Sequence, residues 1–162
     1  MHTFSQPVGI PEKLLKLLQE PAAVKTVGTV NADGSPYISV NTTLISLDGK
    51  SLILSEDLEK SISNVNLVNS VWFDRAAAVT VSYGEDSFAI KAQVHRCLIV
   101  GKIFEQMLSR KRNAYGDDAD ISTVWELLPL EISETSPAVL RRLQEKEHPY
   151  FDRHLDRSSI KA

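Results

Sequence analysis

The sequence predicts a mainly β, α+β protein: a small barrel of six antiparallel strands with short flanking helices and a C-terminal helical arm. Three observations lead there. Apolar and alternating runs of strand length recur between turn signals at Asp33-Gly34, Asp48-Gly49 and Gly84-Glu85-Asp86. The helical periods between them are short. A sheet of about six strands must also close or be covered to hide its edges.

Taken in order, residues 10–20 carry Leu14, Leu15, Leu17 and Leu18 on one face between Pro11 and Pro21, which predicts an amphipathic helix lying across a sheet. Residues 22–30 are predicted as a strand and 31–35 as a turn in which Asp33-Gly34 supplies positive φ. A second strand is predicted over 36–47, where Ile38, Val40 and Leu44 alternate with Ser39, Asn41 and Thr43. Asp48-Gly49 turns the chain into a third strand at 51–55. Its apolar run gives way to Leu58, Ile62, Val65 and Val68 at helical spacing. Asp57 is the expected N-cap, which places Lys60 and Ser61 in the helix's first turn beside N–H groups with no acceptor in the helix. Strands at 76–83 and 87–104 follow, the second bent or bulged near Gly101. A helix over 104–113 leads into an exposed polar connection at 109–120. The last strand is predicted at 122–132, with Pro129 suited to an edge. Pro137 starts a helix that stops before Pro149, and residues 150–162 are expected to be an arm on a partner or a tail. The barrel domain with its N-terminal helix is thus expected at 1–133 and the arm at 134–162.

A chain of 162 residues, 43% hydrophobic, can bury one substantial core. Net charge −3 and pI near 5.8 offer no basic field, so nucleic acid is not an expected partner. Cys97 is the only cysteine, which excludes an intrachain disulfide and a Cys-based zinc array, and it is expected to be a buried packing residue. No apolar run resembles a signal or approaches the ~20 residues that cross a bilayer, so the expectation is no membrane and a cytoplasmic setting. His148, Asp152, His154 and Asp156 lack a rigid spacing and are expected to be solvated charge, not a metal site. His95 and Arg96 are expected to be a surface pair. No Ser-His-Asp order or paired carboxylates stand out, so no catalytic group is assigned.

The chemistry concentrates at the junction of the third strand and its helix. There a Lys60 ammonium, a Ser61 hydroxyl and free amides suit a phosphate monoester. Ser39, Asn41, Thr42 and Thr43 form a ribbon of hydroxyl and amide groups nearby in the chain order.

Four motifs in this order resemble the FMN-binding split barrels related to pyridoxamine 5′-phosphate oxidase. They are VGTVNADGSPYISV (27–40), LDGKSLILSEDLEKSISNV (47–65), AAAVTVSYG (76–84) and FAIKAQV (88–94). The resemblance spans roughly 21–132 and implies a homodimer with FMN at the interface. By that resemblance Ser55, Lys60 and Ser61 hold the phosphate, and the strand Ser39, Val40, Asn41, Thr42, Thr43 follows the ribityl chain and ring. The family's second cation would come from Lys91, Lys102 or the partner chain. Trp125 has two readings, core packing or stacking on the flavin of a partner. The implied activity is FMN-dependent oxidation or reduction with a small-molecule electron donor or acceptor. The alternatives are an electron carrier or flavin store, or a barrel that takes a deazaflavin or haem, for which His95 is the one histidine within the barrel. Residues 134–162 lack the Arg-rich signature of the true oxidases, so pyridoxamine phosphate is not the expected substrate.

Overall fold

A computed structural model gives the architecture and describes residues 5–149. Pro11 precedes α1 (Glu12–Gln19), whose Leu14, Leu17 and Leu18 are buried. Each such leucine is worth about 2 kcal/mol of burial. β1 (Val24–Val30) turns at Gly34, where φ is +86, into β2 (Pro36–Val40). β3 (Leu52–Glu56) leads to α2 (Ile62–Trp72), then β4 (Ala76–Tyr83) and β5 (Asp86–Leu98). α3 (Lys102–Tyr115), β6 (Thr123–Glu134) and α4 (Pro137–Glu147) complete the order. The six strands form one antiparallel sheet in the order β2-β1-β4-β5-β6-β3, curled into a half-barrel as expected. The leucines of α1 close its concave side over Val27, Val79, Val81, Phe88, Ile90 and Leu127. A second cluster, Ile45, Ile53, Met107, Ile121 and Val124, sits under α3.

Several expectations give way. β2 ends at Val40 instead of continuing to residue 47, because side chains take over from the ladder. Asn41 Oδ1 accepts from Thr43 N (3.0 Å), and Asn41 Nδ2 and Thr43 Oγ1 both donate to the Ser55 carbonyl (3.0 and 3.3 Å). Only an isolated bridge, Ile45 with Ile53, resumes the pairing. Ser61, not Asp57, caps α2: its Oγ accepts from Asn64 N at 3.1 Å, while Asp57 binds Lys111 at 2.7 Å. Lys60 therefore precedes the helix. The bulges of β5 lie between Lys91 and Ala92 and between Val94 and Arg96, not at Gly101, which with φ +99 starts α3. α3 runs to Tyr115, so residues 109–115 are helical. β6 is interior, between β5 and β3, and Pro129 is tolerated there beside the first bulge. Past the second bulge the alternation of β5 is broken, and Cys97 is exposed. His95 and Arg96 are exposed too, Arg96 pairing with Glu126.

The largest departure concerns α2. Its apolar stripe faces outward: Ile62, Val65, Val68, Val71 and Trp72 are exposed, whereas Ser63, Asn64, Asn66 and Ser70 are buried together with a single apolar residue, Leu67. The inward polar groups are paired. Asn64 Oδ1 accepts from Trp125 Nε1 and Thr123 Oγ1, both at 2.8 Å, and Asn66 Nδ2 donates to Thr29 Oγ1 and Asn31 Oδ1. Beyond β6, α4 buries none of its residues, and near its start Ser136 Oγ accepts from Ser87 N. The expected arm or tail at 150–162, with Asp152, His154 and Asp156, lies outside the described residues. Among the described residues no helix is long and apolar enough to cross a membrane.

Two outcomes follow for stability. Asn64→Ala strands two buried donors, and urea unfolding followed by circular dichroism should show a loss of about 3 kcal/mol. Asp48 holds the turn before β3, its Oδ1 accepting from the N–H groups of Lys50 and Ser51, both at 2.8 Å. Burial pushes its carboxyl upward, but those N–H groups and the Ser51 hydroxyl outweigh it and leave it below the usual carboxylate value. The stabilisation is thus full above the unfolded pKa of about 3.9 and is lost as pH falls through the lower folded value. Asp48→Ala should lose about 1 kcal/mol at pH 7, and the gap from wild type should narrow in acid.

Candidate functional site

The end of β3 gathers most of the polar groups singled out in the sequence. Ser55 and Glu56 are its last residues, and two segments fold onto them. From one side come Asn41 and Thr43, whose side chains donate to the Ser55 carbonyl, while Ser55 N donates back to Thr43 Oγ1 at 2.8 Å. From the other comes the start of α2: Ser61 Oγ donates to Glu56 Oε2 (3.1 Å) and Ser63 Oγ to Glu56 Oε1 (2.7 Å). Asn64 Nδ2, donating to the Glu59 carbonyl at 2.8 Å, fixes the loop that carries Lys60. Asn41, Thr43, Ser55 and Ser61 are thereby brought together, with Thr42 and Lys60 between them in the chain.

Their availability differs. Asn41, Thr43 and Ser61 are engaged with one another or with Glu56. Glu56 does not turn outward; its carboxylate takes the anion position at the start of α2. Thr42 and Lys60 are exposed and their side chains have no partner among the described residues. The hydroxyl of Ser55 is buried without any hydrogen bond. An orphaned buried hydroxyl is a standing cost to the fold, and such groups call for a ligand or a water.

Four expected residues lie apart. Ser39 is half-buried opposite Val27, and Val40 is 66% exposed on the outer side of the edge strand β2. Lys91 is on the outer face of β5, 3.5 Å from Glu131. Trp125 is 1% exposed, its ring enclosed in the core and its N–H on Asn64, so core packing is the reading this geometry carries.

Next to Thr42, Thr43 and Ser55 the chain opens a cleft of about 510 Å³ between the barrel mouth and α3. Its other walls include Leu18, Pro21, Lys25, Ile45, Met107, Arg110, Lys111 and Tyr115. Lys25 is 5% exposed and donates to the Leu18 carbonyl at 2.7 Å. Burial pushes its ammonium below the ordinary lysine value, and the charge of Arg110 adds to the effect. Lys111 is paired with Asp57 and lies 4.8 Å from the centre of the Tyr115 ring. Sequence reasoning missed these cations, although two signals were present. Lys25 shares the inward parity of Val27 and Thr29 in β1, and Arg110 stands one turn from the buried Met107 in α3.

No family model and no curated relative matches the sequence. Solved structures do match the fold. An FMN-binding protein from Syntrophomonas wolfei is similar with a TM-score of 0.65 and 16% identity, over 77% of this chain and 85% of that one. A candidate pyridoxamine 5′-phosphate oxidase from Lactobacillus delbrueckii is similar with a TM-score of 0.60 and 15% identity, over 77% and 93%. An F420 reductase is similar with a TM-score of 0.57 and 19% identity, over 76% and 98%. The resemblance read from the four sequence motifs is therefore borne out at the level of the fold: the chain has the split-barrel architecture found in FMN-binding and pyridoxamine 5′-phosphate oxidase-related proteins.

Proposed function

We propose that this chain is an FMN-binding flavoprotein and that it acts, as a homodimer, as an FMN-dependent oxidoreductase on a small substrate. The observation that carries the reading is the orphaned Ser55 hydroxyl at the point where the ribbon 41–43 and the start of α2 meet. The donor set fits a phosphorylated flavin. Thr42 and Lys60 have unpaired polar groups, and the ribbon 41–43 supplies amides and hydroxyls that can run beside a polyhydroxyl chain. Ser61 serves differently from the sequence expectation: it ties Glu56 down and caps α2, leaving Lys60 and Thr42 as the groups free to meet a phosphate. FMN bound there would supply reversible electron transfer, and the chain's part is to seat, orient and shield it.

Two apolar surfaces support the homodimer. The stripe Ile62, Val65 and Trp72 of α2 and the pair Ile38 and Val40 of β2 are large hydrophobic side chains left exposed in one chain, a condition that marks association surfaces. The electron carrier or flavin store is the second reading. What favours it is the chemistry at the end of β3: hydroxyls, amides, one lysine and a Glu56 already engaged by two serines, with no histidine or cysteine among them.

Protein purified from cells should carry flavin absorbance, and the ligand released on denaturation should have the mass of FMN; a deazaflavin mass would replace the cofactor and keep the site. Lys60→Ala should weaken FMN binding at least tenfold, or about 1.4 kcal/mol. Ser55→Ala separates binding from folding. It removes an unsatisfied buried hydroxyl and should leave the ligand-free protein as stable or about 1 kcal/mol more so, while titration with FMN shows weaker binding. For the assembly, wild type should sediment as a dimer and Val65→Asp with Trp72→Asp as a monomer; a wild-type monomer that binds FMN fully would overturn the interface reading.

A further inference from the structure

The cleft under α3 presents a charge problem that the flavin reading leaves unsolved. Lys25 is a buried ammonium with three donors, of which the structure pairs one, to the Leu18 carbonyl. No carboxylate among the described residues lies within ion-pair distance of it. Arg110, whose charge is felt at Lys25, makes no ion pair or hydrogen bond among the described residues. The other charges on these walls are accounted for. Lys111 is neutralised by Asp57, and Glu20 turns its carboxylate to Ala22 N at 3.2 Å. Two cations thus share a partly enclosed space, and the carboxylate on its walls, Glu20, forms an ion pair with neither among the described residues. Burying the Lys25 charge without a counter-ion is expensive, and an anion of the right size removes that penalty while pairing with the exposed Arg110 as well.

The rest of the lining says what else that anion carries. Leu18, Pro21, Ile45 and Met107 are apolar, and Tyr115 offers an aromatic ring at the rim. About 510 Å³ lies within the range of small-molecule sites and exceeds what an inorganic ion needs. We propose that the cleft between α3 and the barrel mouth is a binding site for a small organic anion, a carboxylate or phosphate on a flat apolar body. Arg110 and Lys25 receive the charged group, and Met107, Ile45 and Tyr115 receive the body. The site shares the wall Thr42, Thr43 and Ser55 with the ribbon proposed for the flavin, so a molecule held in it lies next to that ribbon. It does not require the flavin, because Lys60 is not among its walls.

The test is calorimetric titration of the full chain, freed of cofactor, with phenyl phosphate, benzoate and phenol. The two anions should bind with one site per chain and the neutral phenol at least tenfold more weakly. Arg110→Ala and Lys25→Met should each reduce phenyl phosphate affinity about tenfold. Lys25→Met, which removes a buried unpaired charge, should unfold no more readily than wild type, so lost binding cannot be put down to lost folding. Lys60→Ala should leave phenyl phosphate binding unchanged even where it abolishes FMN binding, which separates failure of this site from failure of the flavin reading. Phenol binding as tightly as phenyl phosphate would overturn the proposal. So would undiminished affinity in both the Arg110 and Lys25 variants, absence of saturable binding by either anion, or loss of anion binding in Lys60→Ala.

Discussion

Everything distinctive in this chain turns on the side chain of Asn64. Its carbonyl oxygen takes two buried donors of β6, the indole of Trp125 and the hydroxyl of Thr123, and its amide holds the Glu59 carbonyl. Trp125 is the largest side chain in the core that is completely enclosed, and its N–H must be satisfied there. Meeting that demand from α2 forces the helix to turn a polar face inward. The energetic logic is asymmetric. Each buried hydrogen bond adds only about 1 kcal/mol, but each donor left bare would cost about 1–3 kcal/mol. The exposed stripe of Ile62, Val65 and Trp72 is the consequence of that choice.

The same anchor sets the electrostatics at the end of β3. Once Asn64 fixes residues 59–61, Ser61 is in place to cap α2 and to receive Glu56, whose carboxylate then lies where a phosphate would profit from the helix N-terminus. Two unit charges 4 Å apart interact by about 4 kcal/mol at an effective dielectric constant of 20. A dianion brought to this place therefore meets a repulsion comparable with the attraction of one lysine. Lys60 offsets Glu56, and the margin must come from uncharged donors. The orphaned Ser55 hydroxyl and the free Thr42 hydroxyl are the groups in reserve.

The sequence made the order of strands, their turns and α1 legible, because alternation, Asp-Gly turns and the Pro11 and Pro21 boundaries are local signals that tertiary packing left standing. What it concealed were competitions. Asn41 and Thr43 have good strand patterning, yet their side chains bind the Ser55 backbone and end β2 early. Asp57 reads as the cap in the sequence, yet the role fell to Ser61, while Lys111, distant in sequence, claims Asp57. The period of Leu58, Ile62, Val65 and Val68 identified the helix correctly but carried no sign of which face is inside. The counter-signal was available in Ser63, Asn64, Asn66 and Ser70, which repeat at the same spacing as a polar stripe. For the candidate site, the convergence on Ser55 was readable in chain order, whereas Lys25 and Arg110 meet only because α3 crosses the barrel mouth.

The half-barrel also treats its two ends unequally. At the β3 end the segment 41–45 supplies side-chain bonds and the Ile45 bridge, so that edge is covered by the chain itself. At the other end β2 pairs only with β1, and its Ile38 and Val40 stand in solvent. An uncovered edge with exposed β-branched residues is a template for unwanted pairing unless something occludes it. Covering the β3 edge uses up the residues that would have prolonged β2, so one event both builds the polar ribbon beside Ser55 and leaves β2 short and bare. A second chain laid against β2 would therefore cover the flank that this closure leaves open, next to the residues that closure organises.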